Sequence, residues 1–184
     1  MKVYLLLADG FETIEALTPV DVMKRAAIEV KTVAVAASKR VASSHGIVTV
    51  EADMLLADSD LSDGDALILP GGNPGYVNLA ASAAVGEAVR RYYDEGRIVA
   101  AICGAPTVLA AYGIACGRRI TAHSSVRERL SEYDVVGGDV VVDGNLITGA
   151  GAGVSVAFSL AVLRALTDDD TCRRVAAGME VAIG

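Results

Sequence analysis

A chain of 184 residues with a formal net charge of −7 and 4% aromatic residues is sized for one domain whose core needs neither disulfides nor metal. The acidic balance argues against a nucleic-acid surface, which requires clustered Lys and Arg. A hydrophobic fraction of 53% with so few aromatics suits small-residue helices layered on parallel strands better than an aromatic-rich sandwich.

No apolar run approaches the roughly 18 residues of a membrane helix, and the opening MKVYLLLADGFE meets Asp9 too early for a secretory signal. A cytoplasmic protein without membrane contact is therefore expected. The cysteines, Cys103, Cys116 and Cys172, are odd in number and lack metal-ligand spacing, so neither a disulfide framework nor a metal site is expected.

Taken in order, residues 2–8 (KVYLLLA) read as a first strand covered on both faces, because the run is almost continuously apolar. Residues 12–28 read as a helix that Pro19 should break or kink unless Thr18 caps a fresh start. A second strand at 30–36 is followed by KRVASSHGIVTVEADMLL, a hairpin or edge excursion turning at Ser43-Ser44-His45-Gly46. ALILP (66–70) is a third core strand, followed by the Pro-Gly-Gly-Asn-Pro loop and a helix at 82–95 for which Ser82 is the cap. A fourth strand at 97–102 leads into a helix at 104–112 that Gly113 stops. Residues 118–125 read as a short fifth strand and loop, 139–148 as a hairpin turning at Asp143-Gly144-Asn145, and 153–167 as a helix. Short strands alternating with helices predict an α/β fold with a mostly parallel sheet. No linker or repeat divides the chain, so residues 1–184 form a single domain.

Ligand sites in open parallel sheets lie beyond the carboxyl ends of the strands. Asp9, Gly10, Glu12 and Glu15 follow the first strand, Gly71 and Gly72 the third, Cys103 and Gly104 the fourth, and His123 the fifth. A cysteine at a strand-to-helix junction occupies the position of a nucleophile elbow, where the helix N-terminus favours its thiolate and nearby glycine N–H groups can meet an oxyanion. Each residue also has a plainer reading. A lone cysteine is more often core packing, Glu15 alone would be an exposed acid in a first helical turn, and His123 would precede a helix capped by Ser124 or Ser125. GAGAG (149–153) lacks the lysine of a phosphate loop.

LLADGFETIEALTPVDVMKRA, LILPGGNPGYVNL, VAAICGAPTVLA, ITAHSS and DGNLITGAG together resemble the ThiJ/PfpI superfamily, in the branch of the Parkinsonism-associated deglycase and its bacterial ThiJ and YajL relatives. The resemblance spans Lys2 to about Leu166. It implies a flavodoxin-like α/β/α sandwich, a homodimer, and a cofactor-independent, metal-free activity on a small 2-oxoaldehyde or glycated substrate. Cys103 matches the family's reactive cysteine, Glu15 the acid that hydrogen-bonds to it, His123 the nearby histidine, and Gly72 and Gly104 the backbone donors. Gly104 stands where protease-like members carry histidine, which argues against a Cys-His protease. Arg25 matches one of the arginines expected near the thiol; His45 stands near the place of another and Ala150 replaces a third.

Two functions follow as expectations. One is a glyoxalase or deglycase in which Cys103 adds to an aldehyde, with Glu15 and His123 moving protons; the other is a redox-sensing stress protein or chaperone whose Cys103 oxidises to a sulfinate. Either way, Cys103 is expected in a strained backbone conformation with a lowered apparent pKa, beside a protonated Glu15.

Overall fold

The structure, a computed structural model, describes residues 1–182. The chain runs β1 (Lys2–Leu7), α1 (Thr13–Arg25), β2 (Glu29–Ala34), β3 (Arg40–Ala42), β4 (Thr49–Glu51), β5 (Met54–Leu55), β6 (Ala66–Leu69), α2 (Gly75–Ala80) and α3 (Ala83–Asp94). It continues through β7 (Ile98–Ile102), α4 (Pro106–Ala111), β8 (Arg119–Ile120), β9 (Asp134–Val135), β10 (Val140–Asp143), β11 (Leu146–Gly149), α5 (Ser155–Leu166) and α6 (Asp169–Gly178).

Seven strands form the main sheet in the order β10-β11-β7-β6-β1-β2-β5, parallel except where β10 returns against β11. Strand alternation divides the core into two layers. Val3, Leu5 and Leu7 face Val22, Met23, Phe158 and Leu163 of α1 and α5. Tyr4, Leu6 and Ala8 face Val85, Val89 and Leu109 of α3 and α4. An interior strand buried on both faces must be apolar at every position, and that is why β1 reads as an unbroken apolar run.

From β1 the chain passes to β2 on one side and later places β6 on the other. The sheet order therefore reverses at β1/β6, where crevices open at strand carboxyl ends. The sandwich is the expected flavodoxin-like α/β/α arrangement.

Four local readings change. Pro19 does not break α1; it lies buried within the continuous helix, whose inward apolar face outweighs one lost hydrogen bond. The residues after the Pro-Gly-Gly-Asn-Pro loop form α2 instead of running as loop to Ser82. α6, unread in the sequence, is capped by Asp168, whose side chain accepts from the Thr171 N–H at 2.7 Å. Finally, β8 is not a fifth strand of the main sheet, because it pairs with β9 in a separate two-stranded ribbon. Ser82 caps α3 as expected, accepting from the Val85 N–H.

Candidate active site

The first contributor is the turn from β1 into α1. Glu12 caps α1, its Oε2 accepting from the Glu15 N–H at 2.7 Å. In a reciprocal capping box the carboxyl at the third helical position turns back to the cap's own N–H. Here Glu12 N–H is instead taken by the Gly71 carbonyl at 3.0 Å, and Glu15 Oε2 accepts from Gly71 N–H at 2.8 Å. One residue of the loop after β6, through its N–H and its carbonyl, thus satisfies the groups that the helix end would otherwise share. Glu15 is left fully buried with Oε1 lacking any hydrogen-bond partner.

This approach is possible only because residue 71 has no side chain. A methyl group there would stand 2.6 Å from Glu15 Oε2 and 2.8 Å from Cys103 Cβ. Gly72 adds a backbone φ of +89°, and a side chain on it would strike the Glu12 amide. Gly71, which the sequence places with Gly72 behind the third strand but which the family match does not name as a donor, is the residue that joins Glu15 to Cys103; its signal is its place directly behind an apolar strand end.

Cys103 follows β7 with φ of +65°, a region that costs a non-glycine residue about 1–2 kcal/mol. Two loops hold it there: its N–H donates to the Gly149 carbonyl at 2.8 Å, and its carbonyl accepts from the His123 N–H at 3.0 Å. The strained elbow expected from sequence is present. The cysteine is half-buried, and the Gly104 and Gly72 N–H groups face the sulfur and favour its anion.

The thiol and carboxyl titrate as a pair. Burial, opposed by Cys103 and the Gly71 N–H and aided by the charge of Glu12, pushes Glu15 up to about 7. Burial and then the neighbouring Glu15 carboxylate push Cys103 up to about 12, against the expected lowering. Burial leads both shifts, and the Glu15 charge adds to the shift of Cys103, so once the carboxyl is ionised the thiol keeps the remaining proton.

His123 reaches the site through its backbone. Its Nδ1 accepts from the Ser125 N–H at 3.3 Å and lies 2.8 Å from Ser125 Oγ, so His123 itself caps the following turn, in place of Ser124 or Ser125. With Nδ1 accepting, the neutral ring carries its proton on Nε2 and is a donor. No hydrogen bond joins the ring to Cys103 or Glu15; its bonds run to Ser125.

Arg25 does not reach the thiol of its own chain. It ends α1, about 15 Å of helix away from Glu15 at 1.5 Å per residue, bonded to Asp21 Oδ2 at 2.8 Å and to the Gly178 carbonyl at 3.2 Å. His45 lies exposed in the Ser44–Gly46 turn with φ of +63°. That turn is bridged to the Phe11 loop, Ser44 N–H donating to the Phe11 carbonyl at 2.7 Å, so His45 adjoins the rim without touching the pair. Cys172 is core, while Cys116 is exposed beside Glu132. Two surface clefts of about 390 and 370 Å³ lie along Leu56 and Ala84, and neither is lined by Cys103 or Glu15.

The model of the DJ-1/PfpI family matches residues 1–165. The chain is 36% identical to protein dj-1beta of Drosophila melanogaster, over 96% of this chain and 95% of that one. The crystal structure of that protein superposes with a TM-score of 0.95 over 99% of this chain and 98% of the other. A cysteine-to-alanine mutant of a DJ-1 superfamily protein from Salmonella typhimurium gives 0.94 at 38% identity, over 99% of both chains. A Pyrococcus abyssi protein named as a deglycase is 35% identical, over 80% of this chain and 89% of its own.

Proposed function

The chain belongs to the DJ-1/PfpI family, and we propose that it is a cofactor-independent enzyme of the glyoxalase or deglycase type, acting on small 2-oxoaldehydes such as methylglyoxal or on their amine adducts. The observation that carries this reading is the buried Glu15 carboxyl, with one unpartnered oxygen, beside a half-buried cysteine held in a strained elbow. The similarity to a deglycase supports it.

In this reading the pair's one proton passes from the Cys103 thiol to the Glu15 carboxylate as the sulfur attacks the aldehyde carbon, and the carbonyl π electrons become an oxyanion that takes that proton from Glu15. The hemithioacetal then loses the hydrogen on that carbon to the Glu15 carboxylate, and the proton returns to the neighbouring carbon through an enediol. The first carbon is oxidised to a thioester as the second is reduced to an alcohol, so no outside redox partner is needed. Water cleaves the thioester, giving lactate and restoring the pair with its proton. Gly72 and Gly104 N–H groups steady the negative charge, and His123 offers Nε2–H only at the rim.

The test is conversion of methylglyoxal to lactate by the purified protein and its loss in Cys103→Ser; an inactive wild type rejects the proposal. The second reading, oxidation of Cys103 to a sulfinate, is favoured by the same N–H donors, which would receive the new oxygens. Peroxide treatment followed by mass spectrometry checks it, and oxidation at Cys116 first would count against it.

The expected homodimer also stands as a proposal. Ile14 is 52% and Ile47 70% exposed, one in the first turn of α1 and the other just after the turn that the Phe11–Ser43 bridge ties to it. Light scattering at twice 18.9 kDa is the expected result.

A further inference from the structure

Two charged side chains lie on the turn that presents Glu15: Asp9, whose Oδ1 accepts from the Ala42 N–H at 2.9 Å, and Glu12, which nothing in the proposed reaction uses. Its place is unusual. An acid at the third position of a helix sits in the positive field of the helix N-terminus, which favours the anion, and Gly71 N–H donates to the same carboxyl. Both influences would strip Glu15 of its proton and send that proton to sulfur. The Glu12 carboxylate lies on the opposing side of that balance. It covers the helix end, with Oε2 2.7 Å from the Glu15 amide, and puts a negative charge one turn from the Glu15 carboxyl. Around the pair, Gly72 and Gly104 favour the sulfur anion, and His123 is turned to Ser125.

We propose that Glu12 is a positioning residue that biases the shared proton of the Glu15–Cys103 pair toward Glu15, so that a larger share of the sulfur is ionised and nucleophilic. The capping oxygen sets the geometry and the charge sets the tautomer, and the two can be separated by substitution. Glu12→Gln keeps an accepting oxygen of the same reach without charge, Glu12→Ser keeps a cap of another shape without charge, and Glu12→Asp keeps both cap and charge.

The inference rests on Cys103 being the reactive thiol but not on the identity of its substrate. The test therefore reads the pair directly, by ultraviolet thiolate absorbance, alkylation of Cys103 by iodoacetamide, and the carbon-13 signal of the Glu15 carboxyl, each against pH. The expected result is a thiolate fraction and alkylation rate about tenfold lower in Glu12→Gln and Glu12→Ser, the effect of about one pH unit in the tautomer balance. The Glu15 carboxyl signal would change at lower pH in Glu12→Gln and Glu12→Ser than in the wild type, and Glu12→Asp would restore wild-type values. Unchanged thiolate absorbance in both uncharged variants overturns the proposal, as does an equal loss in Glu12→Asp. If the wild type fails to convert methylglyoxal while these spectra behave as expected, the enzymatic reading falls and this one stands.

Discussion

The amino-terminal edge of the central sheet and its carboxyl-terminal edge both carry polar side chains at buried positions, and they treat them in opposite ways. At the amino edge, Lys2 Nζ meets Asp63 at 2.8 Å, the Tyr4 hydroxyl donates to Asp63 at 2.6 Å, and the Lys2 N–H donates to Asp65 at 2.7 Å. Tyr92 donates to the Leu61 carbonyl, and Asn145 bridges the carbonyls of Tyr93 and Arg97 at 3.0 and 2.9 Å. Tyr4 and Tyr92 are almost wholly buried, yet each hydroxyl has its acceptor. At the carboxyl edge Glu15 keeps an orphan oxygen and Cys103 a strained backbone. At the first edge the tyrosine hydroxyls and the Asn145 amide are satisfied, and only the Nε atoms of Arg91 and Arg118, whose other nitrogens pair with Asp60 and Asp143, are left over; the second stores cost beside the residues that would do chemistry.

The largest effect that sharpens this contrast is in the pH dependence of stability. Burial raises Glu15 from the ordinary carboxyl value of 4.5 to about 7, so between those values the folded state binds more protons than the unfolded one, and stability falls as pH rises. The cost is absent below about 4.5 and complete above about 7. Glu15→Gln cannot ionise, so it should gain up to about 3 kcal/mol on the wild type between those limits. Urea unfolding at both ends of the range measures it. A difference between the two proteins that does not grow with pH would show that the buried carboxyl is not strained.

Next in size is Gly71→Ala. The added methyl would collide with Glu15 Oε2 and Cys103 Cβ, displacing the two groups from each other. Misplacement of this order costs about 100-fold in reactivity, read as iodoacetamide alkylation of Cys103. Circular dichroism should still show the native helices, since the change touches no core layer. Alkylation at the wild-type rate would mean that the close packing around residue 71 has no part in the thiol's environment.

How far these edges were legible in the sequence differs for physical reasons. The strands and the elbow could be read because buried parallel strands are apolar at every position and Cys103 directly follows one. β8 was misassigned to the main sheet, because a two-residue strand carries no periodicity to show which partner it takes. Pro19 misled for the opposite reason, since tertiary burial of α1 overrode a local rule. Glu15 was placed by family resemblance, and only the structure shows that Gly71 replaces half of its capping box. Arg25 matched an expected arginine by position along the chain, but a helix's length separates it from the thiol. For His123, the bond from the Ser125 N–H fixes the tautomer, which no sequence pattern states.

The smallest effect compares single substitutions at the two edges. At an ordinary position in a strand or helix, alanine is more stable than glycine by about 0.5–1 kcal/mol, because glycine loses more backbone entropy on folding. At residue 103 the order should reverse. With φ at +65°, alanine retains the steric cost of the left-handed region while glycine does not, so Cys103→Gly should exceed Cys103→Ala by about 1 kcal/mol. Both variants remove the sulfur, so its packing cancels in the comparison. At the amino edge, Tyr4→Phe removes a hydroxyl whose bond to Asp63 is already made and should lose about 1 kcal/mol. Thermal unfolding of the three variants and the wild type at one pH decides the matter. Alanine more stable than glycine at 103 would mean that the elbow relaxes once its sulfur is gone, and the strain would then belong to the thiol's contacts and not to the backbone.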